Sequence, residues 1–146
     1  MIDPQIKERL IKAAKEAQKN AYSIISNFPV GAAILTIDNH IYKGCNTESV
    51  ISGLGVCAER SAIDHAICNG EYNFKAIAVT SNLEKPIYPC GMCRQYISEF
   101  SQIIENDIEI ILVGQNNDIL ETSIFQLINP VFGPKDLGIN LTKYKK

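Results

Sequence analysis

Apolar positions Ile6, Leu10, Ala13, Ala14, Ala17 and Ala21 recur at three- and four-residue spacing, with Lys and Glu between them. That period predicts an amphipathic helix over residues 4–20, with Asp3 as N-cap and Pro4 at the first helical position. Val30 to Ile37 is apolar on both faces, a buried strand, and Asp38-Asn39-His40 turns it into a hairpin partner from Ile41 to Cys45. Cys57 to Asn69, rich in Ala and Ile and stopped by Gly70, predicts a buried helix. A short strand over Lys75–Thr80, a second buried helix over Cys90–Ser101 introduced by Pro89, and a strand over Glu109–Val113 follow. Thr122 is expected to cap a last helical turn that ends before Pro130. A hairpin followed by helix, strand, helix and strand defines an α/β fold, a mixed sheet with helices on both faces. No repeat or linker interrupts the pattern, so residues 1–146 are expected to form one domain.

Composition narrows the classes of partner. Apolar residues make up 46% of the chain, charged residues 21%, and the formal net charge is −2. No block of about five or more basic residues occurs, and Lys143, Lys145 and Lys146 form only a short basic tail. Nucleic acid and anionic membranes are therefore disfavoured as partners, since both are bound through clustered Lys and Arg. The N-terminus has no secretory pattern, and no apolar run approaches the roughly eighteen residues of a membrane span. The odd count of five cysteines suits a reducing compartment better than a disulfide framework, so a cytoplasmic protein is expected.

The chemistry lies in a split cysteine constellation. Cys57-Ala58-Glu59 opens one predicted helix and Pro89-Cys90-Gly91-Met92-Cys93 opens the other. Cys90 and Cys93 fall on one side of a helical turn, and Cys57 must come from the second helix. Three thiolates can hold one Zn²⁺ and leave a fourth tetrahedral position for water, and Glu59 is close enough in sequence to move protons at that position. Three thiolates outweigh Zn²⁺ by one negative charge. Two helix N-termini and the Arg60 guanidinium are available to offset the excess. Cys45 and Cys68 read as free thiols, and neither His40 nor His65 is near a cysteine in sequence. A redox dithiol at Cys90 and Cys93 would leave Cys57-Ala58-Glu59 unexplained, and a structural site would normally supply a fourth ligand.

The segments Phe28-Pro29-Val30-Gly31-Ala32-Ala33, Gly44-Cys45-Asn46-Thr47-Glu48, Cys57-Ala58-Glu59-Arg60-Ser61-Ala62 and Pro89-Cys90-Gly91-Met92-Cys93-Arg94-Gln95 together resemble the small, homotetrameric, zinc-dependent cytidine deaminases. The similarity runs from about Ala21 to Leu137 and closes on Pro130-Val131-Phe132-Gly133-Pro134. The resemblance implies a three-layer α/β/α sandwich with a five-stranded mixed sheet and hydrolytic deamination of cytidine and 2′-deoxycytidine in pyrimidine salvage. It also implies one zinc per chain on Cys57, Cys90 and Cys93. A water activated there attacks C4, and Glu59 relays its proton to N3 and then to departing ammonia. By the same resemblance Asn46 and Glu48 hold the ribose hydroxyl, Phe28 packs on the nucleoside, and the Ala58 N–H approaches the base oxygen. Phe132 reaches into a neighbouring subunit's pocket, so that sites are completed across the homotetramer. One departure stands out: the family usually has Pro-Tyr-Ser where this chain has Ile24-Ile25-Ser26.

Two other readings compete. An antibiotic-nucleoside deaminase of the blasticidin type shares the zinc motifs but resembles this chain less at Asn46-Thr47-Glu48. A non-catalytic structural zinc or redox module would use the same cysteines without turnover.

Overall fold

The structure, a computed structural model, describes residues 1–146. Helix α1 spans Pro4–Gln18, and the Asp3 side chain accepts hydrogen bonds from the Gln5 and Ile6 N–H groups, as the N-cap expectation required. Strands β1 (Val30–Thr36) and β2 (Ile41–Cys45) form the predicted antiparallel hairpin. Helix α2 spans Ala58–Cys68, β3 Phe74–Ser81, α3 Gly91–Ile104 and β4 Glu109–Val113. A fifth strand, β5 (Ile119–Ser123), pairs antiparallel with β4. The sheet order is β2-β1-β3-β4-β5, and only β3 and β4 run parallel, joined by α3 as the crossover.

The expectation for Thr122 is corrected. Thr122 lies in β5, and it is Ser123 whose hydroxyl accepts from the Gln126 N–H to cap the short helix α4 (Ile124–Leu127). Residues 119–123 are drawn into an edge strand by the ladder β4 offers.

Alternation along the central strands sorts the core into two layers. Ala33 and Leu35 of β1, Ala76 and Ala78 of β3, and Ile111 and Val113 of β4 meet Leu10, Ala13 and Ala14 of α1. The intervening Ala32, Ile34, Ile77, Val79, Ile110 and Leu112 meet α2 and α3 on the other face. This is why β1 is apolar along its whole length. Each fully buried Leu or Ile in these layers contributes roughly 1.5–3 kcal/mol relative to exposure.

Two glycines set how closely the helices lie. A Cβ on Gly31 would stand 2.1 Å from the Ala14 carbonyl oxygen of α1. One on Gly44 would stand 2.2 Å from the Ala62 nitrogen and 2.6 Å from the Ala58 oxygen of α2. Backbone therefore packs on backbone at both places, and α2 is seated directly on the end of β2.

Candidate active site

The start of β1 and the ends of β2 and β3 lie at one end of the sheet, and the loops leaving β2 and β3 deliver the N-termini of α2 and α3. Cys57 and Cys90 are the N-cap residues of these helices, and neither side chain caps its own backbone. Both sulfurs are thereby free to face each other. Cys57 Sγ lies 3.9 Å from Cys90 Sγ, which lies 3.5 Å from Cys93 Sγ, and all three sulfurs fall within 4.8 Å. A tetrahedral zinc with bonds of about 2.3 Å separates its sulfurs by about 3.8 Å, so the cluster fits that ion. A two-cysteine redox pair leaves the third thiol of this cluster without a role. Cys45 and Cys68 stand outside it, Cys45 with its thiol on the Asn20 carbonyl and Cys68 exposed.

The electrostatics favour negative charge at the sulfurs. Two helix N-termini point at them, and an Arg60 Nη lies 3.9 Å from Cys57 Sγ. The Cys57 thiol is lowered to about 5, first by the neighbouring Cys93 thiol and then by Arg60 and Cys90, against burial. Cys93, fully buried, is pushed upward by its bond to Cys57 and by burial. Arg60 Nε is buried with no partner in the isolated chain.

Glu59, in the first turn of α2, is only 5% exposed. Burial pushes its carboxyl up, with its own backbone N–H and the Cys93 thiol opposing. Ala58 is fully buried at the first position of α2. The first intrahelical bond runs from the Ser61 N–H to the Cys57 carbonyl, so the Ala58 N–H remains a donor for something outside the helix.

Phe28, Asn46 and Glu48 form a second group, held together by hydrogen bonds. Asn46 Oδ1 accepts from the Val30 N–H at 2.8 Å, and its Nδ2 donates to the Phe28 carbonyl at 2.9 Å. Glu48 Oε2 accepts from the Ile25 and Ser26 N–H groups at 2.7 and 3.1 Å, and Oε1 accepts from the Ser26 hydroxyl. These bonds hold the Glu48 carboxyl below the usual range, the Ser26 hydroxyl foremost. Thr47, between Asn46 and Glu48, exchanges backbone bonds with Val56 at 3.0 and 2.9 Å, one residue before Cys57. That bridge clips the second group to the thiol cluster.

Phe132 stands apart. It is 63% exposed, and its carbonyl accepts from Gln95 Nε2 of α3 at 2.7 Å. The Ile24-Ile25 departure finds a physical reading here. Both side chains are exposed, and Ile25 serves Glu48 through its backbone N–H, which any residue but proline supplies. Sequence reasoning assigned no role to Ser26. The one local signal was its place two residues before Phe28, where its hydroxyl accepts from the Phe28 N–H at 3.1 Å.

A mixed sheet that brings three thiols and a buried carboxylate together at two helix N-termini defines a zinc-dependent deaminase centre. The chain belongs to the family described as "Cytidine and deoxycytidylate deaminase zinc-binding region", whose model matches residues 4–106. A cytidine deaminase of Sporosarcina psychrophila is 42% identical over 131 residues, 90% of this chain and 94% of that one. One from Halalkalibacterium halodurans is 36% identical over 132 residues, covering 90% and 98% of the two chains. The crystal structure of cytidine deaminase from Burkholderia pseudomallei superposes with a TM-score of 0.79 at 40% identity, covering 86% of this chain and 98% of that one. No helix is long and apolar enough to cross a membrane.

Proposed function

We propose that this chain, as one domain over residues 1–146, converts cytidine and 2′-deoxycytidine to the corresponding uridines with release of ammonia. Pyrimidine salvage in the cytoplasm is the setting this reading implies. The observation that carries it is the buried Glu59 carboxyl beside three converging thiols at the first turn of α2. Family membership and relatives named cytidine deaminase along almost their full length support it.

Cys57, Cys90 and Cys93 would hold one zinc ion, which supplies an acidified water as the nucleophile. The rest of the chemistry belongs to the protein. Glu59 takes one proton from the water that adds to C4 and passes it to N3; it then takes the proton of the hydroxyl left on C4 and gives it to the exocyclic nitrogen as the C4–N bond breaks. Ammonia leaves and a carbonyl remains at C4. The free Ala58 N–H suits the base oxygen at C2, and it carries the partial positive charge of a helix N-terminus. Arg60 offsets the excess negative charge of three thiolates and keeps the water acidic.

Asn46 and Glu48 are assigned to the sugar hydroxyls and Phe28 to the face of the nucleoside. Asn46 keeps one N–H free, and Glu48 keeps about one of roughly four acceptor positions. Cytidine should accordingly be turned over and free cytosine hardly at all, because a base without its sugar forgoes the hydrogen bonds that Asn46 and Glu48 are placed to make. An ammonia-release assay on the two compounds checks this. Equal kcat/KM values would remove Asn46 and Glu48 from sugar binding.

The site is proposed to be completed by a neighbouring subunit of a homotetramer. Val50, Ile51 and Leu54, in the loop between Glu48 and Cys57, are exposed, as are Met92 and Phe132. Exposed apolar side chains of this kind are what a partner subunit would cover. Phe132→Ala should mainly raise KM for the nucleoside, since an aromatic contact contributes about 0.5–1.5 kcal/mol beyond its area. Light scattering should report about four times the 16.2 kDa chain. A fully active monomer at assay concentration would refute the shared site.

A further inference from the structure

The two polar groups assigned to the sugar are held in different ways. The Asn46 amide is fixed by backbone groups of Phe28 and Val30, which no side-chain substitution removes. Glu48 is fixed partly by backbone, at Oε2, and partly by one side chain, the Ser26 hydroxyl at Oε1. A hydroxyl has one hydrogen to give. Ser26 gives it to Glu48 and at the same time accepts from the Phe28 N–H at 3.1 Å. One hydroxyl therefore joins the carboxylate to the backbone of the aromatic residue next to it.

We propose that Ser26 is a positioning residue for nucleoside recognition: by bridging Phe28 and Glu48 it fixes which carboxylate lone pair faces the sugar hydroxyls, and so sets discrimination among sugars. The inference rests on the reading that Glu48 meets the sugar. A carboxylate tethered only at Oε2 can still rotate about its last torsion, which is broad and roughly two-fold. The third hydrogen bond removes that freedom. With it in place the remaining acceptor direction is defined before the nucleoside arrives, which lowers the ordering cost of binding. Accepting from the Phe28 N–H also makes the Ser26 hydroxyl a stronger donor, which tightens its hold on Glu48.

The test uses the zinc-loaded enzyme and compares kcat/KM for cytidine with that for 2′,3′-dideoxycytidine, which lacks the hydroxyls in question. Ser26→Ala should lower the cytidine-to-dideoxycytidine ratio by about five- to tenfold, carried by KM for cytidine rather than by kcat. Ser26→Thr, which keeps the hydroxyl, should restore the ratio. Glu48→Gln serves as the reference, since its amide can still accept from the two N–H groups and donate to Ser26 while losing the charge toward the sugar. A ratio lowered by E48Q but unmoved by S26A would overturn the role of Ser26 and leave the sugar assignment standing. Equal losses on both substrates in S26A would show a merely structural serine and also overturn it. A ratio unmoved by E48Q would remove Glu48 from sugar recognition, and the role of Ser26 with it.

Discussion

Replacement of Glu59 by Gln is expected to leave a folded, metal-loaded protein whose kcat for cytidine is lower by about 10²–10⁴-fold. The stability side of this expectation comes from burial. Glu59 is nearly inaccessible in the first turn of α2, and burial already favours its neutral form, so a neutral amide of the same shape fits the same space. The activity side comes from chemistry. An amide can donate and accept hydrogen bonds, but it cannot take a proton from water and hand it to N3 and then to the leaving nitrogen. Steady-state kinetics, with zinc content and melting temperature measured on the same sample, check both sides. Activity within a few-fold of the parent would remove Glu59 from the proton relay.

The largest effect on the folded state should come from the ligands. Cys57→Ala, Cys90→Ala and Cys93→Ala should each lose zinc and stability together, whereas Cys68→Ala should keep its metal. Cys57 and Cys90 sit at the caps of two different helices, so the ion would join α2 to α3 across the end of the sheet. Zinc at structural sites contributes roughly 10–16 kcal/mol of apparent binding energy, and a site that joins two core helices should likewise couple metal to folding. Even a modest part of that exceeds what a small domain can lose. Metal analysis of freshly purified protein, paired with thermal unfolding in the presence and absence of a chelator, is the direct measurement. Less than half a zinc per chain in the parent protein would sink the assignment.

Much of this was legible in the sequence, and the reasons differ from place to place. Asp3-Pro4 followed by apolar residues at helical spacing marks α1 because cap, first-turn proline and buried stripe all agree. The cysteine segments were legible because a metal centre demands particular side chains at particular spacings. Ile119–Ser123 was not, because an edge strand needs only one side of its ladder and its alternation is weak, while Thr122 and Ser123 look like cap residues. The fifth strand came from family resemblance alone. The bonds around Glu48 and Asn46 were hidden for another reason: their partners lie 16 to 23 residues away, and the pairing of β1 with β2 and the backbone bridge of Tyr22 to Thr47 bring them together.

Gly44 has a consequence for anyone wishing to redesign the substrate range of this enzyme. Because the backbone of β2 touches the backbone of α2 there, no side chain lies between sheet and helix to be trimmed in compensation for bulk added elsewhere. Interiors packed this way transmit a displacement rather than absorb it. Glu59 lies three residues before Ala62, one helical turn away, so any shift of α2 at Gly44 moves the proposed proton carrier with it. A combinatorial library should hold Gly44, Ala58 and Ala62 fixed as one unit. Diversity is better placed at exposed side chains that touch neither α2 nor Glu48, such as Ile24.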